Sequence, residues 1–386
     1  MSIYTSPSHR LFRLPPALVA LALIIGSSAL AFDTIGNGYG SKWGADPVAG
    51  TGAVVTWGYM LDGTGVDPNF RIDPFGLPDI SGVVGTSNIT ELRNLIEANH
   101  GAGSFDAAIQ RAFDTWSAVA NITFVGPVPD TGLDVDSPSA IYPNIRIGAF
   151  QPDPNHWFKD TGSIGFGPPG PPNEITQFPL SGDVFFNLAR PAQQSPFHIA
   201  PGDEDVTPVD VFNFGDDLEG LFLHELGHAA IGLDHPRWDG EDPDRRLMYV
   251  GDFQNPNAPF CCTAINRQLH PDDIAAARYV YGVRGDYNHD RVVDAADYVV
   301  WRDAIGTESA GLLAMDGDAD GTIGQDDHAV WFANFGLTSP VTEGPLGTGL
   351  TAVPEPAKST YGALIVGAVV ILRFFNRRRL RAPAVA

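Results

Sequence analysis

The residues with the clearest chemical potential are His224, Glu225 and His228, in the segment His-Glu-Leu-Gly-His. On an α-helix, residues four apart lie on the same face, so both imidazoles can reach one metal ion. The intervening glutamate can then reach a water molecule beside that metal. Zinc suits these ligands because it accepts nitrogen donors, is not redox-active and keeps a fourth position open. The pattern predicts a hydrolytic zinc site in which Glu225 is the general base.

Four further features support this interpretation through a family resemblance. Together with the histidine pair they resemble the matrixins, a branch of the metzincin zinc proteases, over roughly residues 40 to 282. The resemblance implies an α+β domain with a twisted mixed sheet packed on helices, zinc on the active-site helix, Met248 in a turn beneath the metal, and a peptide substrate lying across the cleft. The four features are Gly232-Leu-Asp-His235, Leu247-Met-Tyr249, Ala108-Ile-Gln-Arg-Ala-Phe-Asp-Thr-Trp116 with Ile122-Thr-Phe124, and Leu269-His-Pro-Asp-Asp-Ile-Ala-Ala-Ala-Arg-Tyr-Val-Tyr-Gly282.

The sequence departs from the matrixin pattern by one inserted residue. That pattern has a glycine three residues and a third histidine six residues after the second histidine, whereas here Gly232 follows His228 by four residues and His235 by seven. One extra residue rotates a helix by about 100°, and a π-bulge is one way to absorb it. The intact Gly-x-x-His turn favours His235 as the third ligand. Asp234 is the alternative, because it lies where the family's third ligand falls.

Two other departures concern latency and structural metals. Many matrixins block their zinc with a propeptide cysteine, but the two cysteines of this chain are the adjacent Cys261 and Cys262. We therefore expect an enzyme that is active when made, or one held inactive by other means. We expect no structural zinc in residues 156–187, where Asp183 is a candidate calcium ligand.

The elements that must position these residues follow from local patterns. Apolar spacing predicts helices, and β-branched runs predict strands, in an α+β order. Asp216 and Glu219 form a capping-box pattern before the active-site helix, and Gly232 ends that helix. Residues 162–179 are rich in proline and glycine, which predicts a loop. The predicted strands are 52–60, 122–125, 144–148 and 183–187, and the predicted helices are 89–98, 107–119, 216–232 and 272–281.

An internal repeat follows, in which two acidic loops are offset by 30 residues, each before a tryptophan-containing segment. Alternating carboxylates suit calcium, which binds six to eight hard oxygen ligands. Position 6 of a calcium loop is normally glycine; it is Gly321 in the second loop but Arg291 in the first. The candidate ligands are Asp286, Asn288, Asp290, Val292 (backbone), Asp294 and Asp297 in loop 1, and Asp316, Asp318, Asp320, Thr322 (backbone) and Asp327 in loop 2.

This paired calcium-loop module is similar to a dockerin. The resemblance implies a small α-helical module with structural Ca²⁺ and a cohesin-like partner. A calcium-stiffened spacer without a partner is the alternative, and is slightly favoured because nothing in the sequence identifies a partner.

The termini are typical of an exported protein. Arg10 and Arg13, an apolar run at 17–25 and Ala29-Leu-Ala31 predict a secretory signal peptide. At the other end, the apolar stretch 361–372 lies between Val353-Pro-Glu-Pro356 and an arginine cluster. This tail resembles the PEP-CTERM sorting signal, which implies a transmembrane helix and handling by the sorting machinery; an ordinary membrane anchor is the alternative.

The whole chain is predicted to contain five segments. They are a signal peptide (1–31), a matrixin-like protease domain (32–282), a dockerin-like module (283–337), a linker (338–352) and a sorting tail (353–386). The net charge of −23 argues against nucleic acid as a partner, because no basic stripe is present to neutralise phosphates.

The sequence thus predicts a secreted or surface-sorted zinc endopeptidase that acts on protein or peptide substrates. The alternative is a non-catalytic, calcium-binding adhesion protein on a degenerate protease fold. Retention of Glu225 between the two histidines favours the enzyme, since a decayed site has no chemical use for this carboxylate.

Overall fold

The computed structural model describes residues 33–34, 42–44, 46, 48–66, 83–137, 142–154, 163–167, 180–189, 197, 199, 217–236, 247–249, 267–306, 315–340 and 352–354. The predicted signal peptide, the cysteine pair and the apolar stretch of the tail lie outside these residues. Within them, no helix has both the length and the apolar character needed to cross a membrane.

A mixed, mostly parallel sheet forms the centre of the first domain. Its strands are β2 (Ala53–Tyr59), β4 (Ile122–Val125), β5 (Ile145–Pro152), β6 (Ser163–Phe166), β7 (Val184–Asn187) and β9 (Ala352–Pro354), in the spatial order β4-β2-β5-β7-β6-β9. Strands β4, β2, β5 and β7 run parallel to one another, whereas β6 is antiparallel to both β7 and β9. Short β3 (Val83–Val84) pairs with β5, and β1 (Asp33–Thr34) pairs with β8 (Leu233–Asp234).

Helices α1 (Ile89–His100) and α2 (Ser104–Ser117) pack in the same core as this sheet. The α2 sequence places apolar side chains at helical spacing, and those of Phe105, Ala108, Ile109, Ala112, Phe113 and Trp116 are all buried. Phe113 stacks on Trp57 of β2 with ring centroids 4.5 Å apart. Each such aromatic ring contributes about 1.5–3 kcal/mol through burial, so this interface fixes α2 on the sheet.

Helix α3 (Leu218–Leu226) continues into a π-helical turn (Gly227–Ile231), and α4 (Pro271–Tyr281) closes the domain. Trp116 of α2 donates its indole N–H to the Leu223 carbonyl at 3.0 Å, which joins α2 to α3. The predicted end of α4 is confirmed, because Gly282 follows it with φ of 76°.

Helices α5 (Ala295–Ala304) and α6 (Gln325–Asn334) belong to the second module. Their bounds differ by the 30-residue offset of the repeat, so the sequence repeat is also a structural one. The indole of Trp301 donates to the Gly324 carbonyl at 2.8 Å, and that of Trp331 donates to the Asp294 carbonyl at 2.7 Å. Each half therefore hydrogen-bonds to the equivalent loop position of the other.

Two predictions of local structure were wrong. The residue that caps α3 is Asp217, whose carboxylate accepts from the Gly220 amide at 2.9 Å, while Glu219 instead pairs with Arg111 at 2.6 Å. The segment 162–179 is not all loop, since β6 lies within it. Its pairing with β7 overrides the local proline and glycine composition.

Asp183, the candidate calcium ligand, lies in a buried ion pair. Both of its carboxylate oxygens accept from Arg146, at 3.0 and 2.8 Å, and both side chains are almost fully buried. Burial raises the pKa of Asp183 to about 7, against the opposing effect of the Arg146 charge. The guanidinium thus occupies the position at which a cation was expected.

Candidate metal centre

Helix α3 begins at an anchored cap and is buried along almost its whole length. The Asp217 carboxylate, besides capping the helix, accepts from the Arg267 guanidinium at 2.8 and 2.6 Å. Eight of the nine α3 residues are buried, including His224 and Glu225. Buried polar side chains such as these two require hydrogen-bond or metal partners, and the surrounding elements supply hydrogen bonds.

The π-helical turn absorbs the extra residue after His228, as the sequence allowed. Its carbonyls receive partners from outside the helix: Trp43 donates its indole N–H to Ala229 at 2.9 Å, and Tyr281 donates its hydroxyl to Ala230 at 2.7 Å. Gly232 then adopts φ of 81° and ψ of 33°, the left-handed conformation that glycine permits. The chain turns back sharply enough to bring the next residues against α3.

Three imidazoles converge at this turn. The Nε2 atoms of His224 and His228 are 3.2 Å apart, and each lies 3.1 Å from Nε2 of His235. A tetrahedral metal at about 2.0–2.1 Å from each nitrogen would hold its ligand atoms about 3.3–3.4 Å apart. The triangle of nitrogens therefore fits one metal ion and supplies three of its four tetrahedral ligands.

The tautomers of His224 and His228 follow from their other ring nitrogens. Nδ1 of His224 is 2.7 Å from the Leu247 carbonyl, and Nδ1 of His228 is 2.6 Å from the Leu233 carbonyl. A carbonyl oxygen only accepts, so each Nδ1 carries a proton, and in the neutral form of each ring the lone pair is on Nε2. Two lone pairs that face each other at 3.2 Å are repulsive without a cation between them. The chemistry of these donors therefore favours a bound metal.

The structure brings His235, rather than Asp234, to the other two histidines. Together they form a cluster in which all three ligand atoms lie within 4.8 Å of one another. The Asp234 carboxylate instead accepts from the His235 amide at 2.7 Å, and its residue pairs with Asp33 of β1. Asp234 thus holds the turn that presents His235.

Glu225 is fully buried beside strand β6. The Ser163 hydroxyl donates to Oε1 of Glu225 at 2.6 Å. Gly165 approaches the same residue so closely that a Cβ there would lie 2.6 Å from the Glu225 carbonyl oxygen and 3.0 Å from Oε2. Small residues on this face of β6 are therefore required for the strand to lie against the helix.

Sequence reasoning missed Ser163 and Gly165, because they lie in a segment interpreted as loop. The available signal was the alternation of small and large side chains in Ser-Ile-Gly-Phe, residues 163–166, which is typical of a strand. Its large members, Ile164 and Phe166, pack in a second core with Phe185. The small members consequently face the opposite way, toward α3.

Met248 packs against Gly227, which lies between His224 and His228 in the sequence. A Cβ on Gly227 would lie 2.1 Å from its sulfur, so the glycine between the histidines makes room for this side chain. The buried carboxylate of Asp273 on α4 accepts from the Leu247 amide at 3.0 Å and the Met248 amide at 3.4 Å. Because the Leu247 carbonyl binds His224, α4 helps to orient the first histidine.

The two acidic loops share one hydrogen-bond pattern. The carboxylate at position 1 accepts from the amides at positions 5 and 6: Asp286 from Asp290 and Arg291 at 3.2 and 2.9 Å, and Asp316 from Asp320 and Gly321 at 3.0 and 2.8 Å. The carboxylate at position 12 accepts from the amide at position 9 in both loops.

In loop 2, oxygen atoms of Asp316, Asp318 and Asp320 lie close enough to hold one metal ion.

In loop 1 the side chain of Asn288 donates to Asp290 at 2.9 Å, and the Asp294 carboxylate accepts from the Ala296 amide at 2.7 Å. Burial, reinforced by the negative charges of Asp297 and Asp290, raises the pKa of Asp286 to about 6. A cation in the loop would relieve that repulsion.

Arg291 explains why loop 1 lacks the usual glycine. Its backbone adopts φ of 74°, a strained value for arginine. Its guanidinium donates to the Ala49 carbonyl at 2.8 Å and lies 5.6 Å from the ring centroid of Tyr279 on α4. The side chain fastens the module to the first domain, and these contacts offset the backbone cost.

Comparison of the sequence with models of protein families finds no match, and comparison with curated proteins finds no significant match.

Proposed function

We propose that this chain is an exported, zinc-dependent endopeptidase with Glu225 as its general base. The observation that carries the proposal is the triangle of Nε2 atoms from His224, His228 and His235, whose separations are 3.1–3.2 Å, with the carboxylate of Glu225 held on the same helix. Three imidazoles, with a fourth position for water or substrate, are a ligand set of catalytic zinc.

When bound, zinc supplies Lewis acidity, which makes water nucleophilic near neutral pH and polarises a carbonyl group. Glu225 accepts a proton from the attacking water on a carboxylate oxygen and passes it to the leaving amine nitrogen. The Ser163 hydroxyl, 2.6 Å from Oε1, fixes the rotation of that carboxylate. Burial of the helix excludes bulk water from the carboxylate and keeps its position fixed.

The position of β6 supports a polypeptide substrate. The strand touches Glu225 through Ser163 and Gly165, and its edge away from β7 pairs with an extended segment, β9. Such an edge binds extended peptides by strand addition, in which main-chain hydrogen bonds provide affinity for any sequence. A peptide bound there would pass close to the catalytic carboxylate.

Metal analysis of the purified full chain tests this proposal. We expect about one zinc per chain beyond any calcium, cleavage of casein or a peptide library, loss of cleavage after chelation, and its return with zinc. Cleavage that persists in metal-free protein would contradict the proposed mechanism. Bound zinc without cleavage of any tested substrate would favour the non-catalytic surface protein.

We further propose that the second module binds Ca²⁺ in both loops and is rigid only when filled. Asp316→Ala removes a carboxylate that orders loop 2 and is expected to weaken calcium binding at that loop at least tenfold. Asp326→Ala is the matched control, since Asp326 carries the same charge but occupies no ligand position. Titration calorimetry of both variants distinguishes a specific calcium site from weak attraction of calcium to the net negative charge. Equal losses of calcium affinity in the two variants would contradict the assignment.

Calcium affinity is also expected to fall as the pH decreases through about 6. Since the pKa of Asp286 is raised to about 6, its carboxyl is protonated below that pH, and calcium must displace the proton. Affinity is therefore greatest above pH 7. The same calorimetry at pH 7.5 and 5.5 measures this dependence.

A further inference from the structure

The outer edge of β6 is occupied by the chain's own C-terminal segment. Strand β9 pairs antiparallel with β6, with Ile164 opposite Pro354, Gly165 opposite Val353 and Phe166 opposite Ala352. This segment follows the calcium-loop module and belongs to the junction between the predicted linker and the sorting tail. An unpaired strand edge is a template for another strand, and here the template is filled from within the molecule.

This pairing lies at the catalytic centre. Gly165 is the β6 residue that approaches both Glu225 and His228, because a Cβ there would lie 3.0 Å from Glu225 Oε2 and 3.2 Å from His228 Cβ. Val353 is its partner in the ladder, and neighbouring strands lie about 4.8 Å apart. A second extended peptide cannot use this edge while β9 is present.

We propose that residues 352–354 hold the strand position of a peptide substrate, so that the full chain cleaves peptides slowly until its C-terminal segment leaves β6. The inference rests on the proposed endopeptidase function and adds its regulation. It also supplies an inhibitor for a chain without a cysteine upstream of the active-site helix. Any cleavage that removes the tail 353–386 also removes Val353 and Pro354 from β6, so that sorting and activation become one event.

The ladder offers a specific way to break the contact. Pro354 has no N–H, so of the two residues opposite Ile164 and Gly165 only Val353 can donate a main-chain hydrogen bond to β6. Val353→Pro removes that donor while leaving the rest of the chain unchanged. Lys358→Pro introduces the same residue four positions beyond β9 and is the matched control.

The first test measures pairing without catalysis. Full chains carrying Glu225→Gln, purified in detergent, are compared with and without Val353→Pro by hydrogen–deuterium exchange and by anisotropy of a labelled peptide of residues 350–358. We expect amides in 163–166 to exchange at least tenfold faster in Val353→Pro, and the free peptide to bind at least tenfold more tightly, because the tethered competitor is weakened. Equal exchange and equal binding in all chains would overturn the proposal.

The second test measures cleavage in chains that keep Glu225. We expect Val353→Pro to cleave casein several-fold faster than the parent chain and Lys358→Pro to match the parent. Cleavage at one common rate in all three chains would overturn latency and leave the protease intact. A change in exchange and peptide binding without any cleavage would support the β6–β9 contact and refute the protease.

Discussion

Glu225→Gln is expected to lower kcat/KM for peptide cleavage by about 10²–10⁴-fold, the usual contribution of a general acid–base group. The amide cannot accept the proton of the attacking water, but it has almost the same volume and can still accept from Ser163. The three histidines are unaltered, so zinc content is expected to stay at the parent value. Steady-state kinetics with metal analysis of the same sample measures both quantities.

Glu219→Gln is the matched control for this substitution. Glu219 lies on the same helix, but its carboxylate pairs with Arg111 on the surface of α2 rather than facing the metal centre. We expect a small loss of stability and little change in kcat/KM. If Glu225→Gln retains the activity of the parent, another group takes the proton and the role given to Glu225 is wrong.

His235→Ala is expected to lower zinc affinity by more than 10²-fold, because removal of a direct ligand exceeds the roughly 10–100-fold cost of losing a partner that only orients one. Only two Nε2 atoms, 3.2 Å apart, then remain. A catalytic zinc site normally has three protein ligands. Competition with a chromophoric chelator measures the affinity directly. Peptide cleavage is expected to fall in parallel.

Asp234→Asn tests whether Asp234 is itself a metal ligand or only positions His235. The asparagine side chain can still accept from the His235 amide, which Asp234 now does at 2.7 Å, but it lacks the charge of a carboxylate ligand. We expect zinc affinity within tenfold of the parent chain. A large loss in Asp234→Asn together with normal binding in His235→Ala would exchange the two assignments.

The sequence by itself determined the parts of the protein whose causes are local. Helical spacing in α2, the four-residue separation of His224 and His228, and the glycine that ends α4 each act within a few turns of chain. The acidic repeat is equally local, because ligands and turn residues recur at fixed offsets within each loop. These features could be predicted without knowledge of the rest of the molecule.

Tertiary structure decided which side chains complete the site. β6 forms because distant segments pair with it, and its pairing with β7 places Ser163 on Glu225. His235 rather than Asp234 reaches the other histidines, because the π-helical turn and β8 set the direction in which the chain returns. Arg291 tolerates a left-handed backbone because its guanidinium binds another domain. In each case the deciding contact is made through tertiary structure, and such contacts cannot be predicted from local propensity.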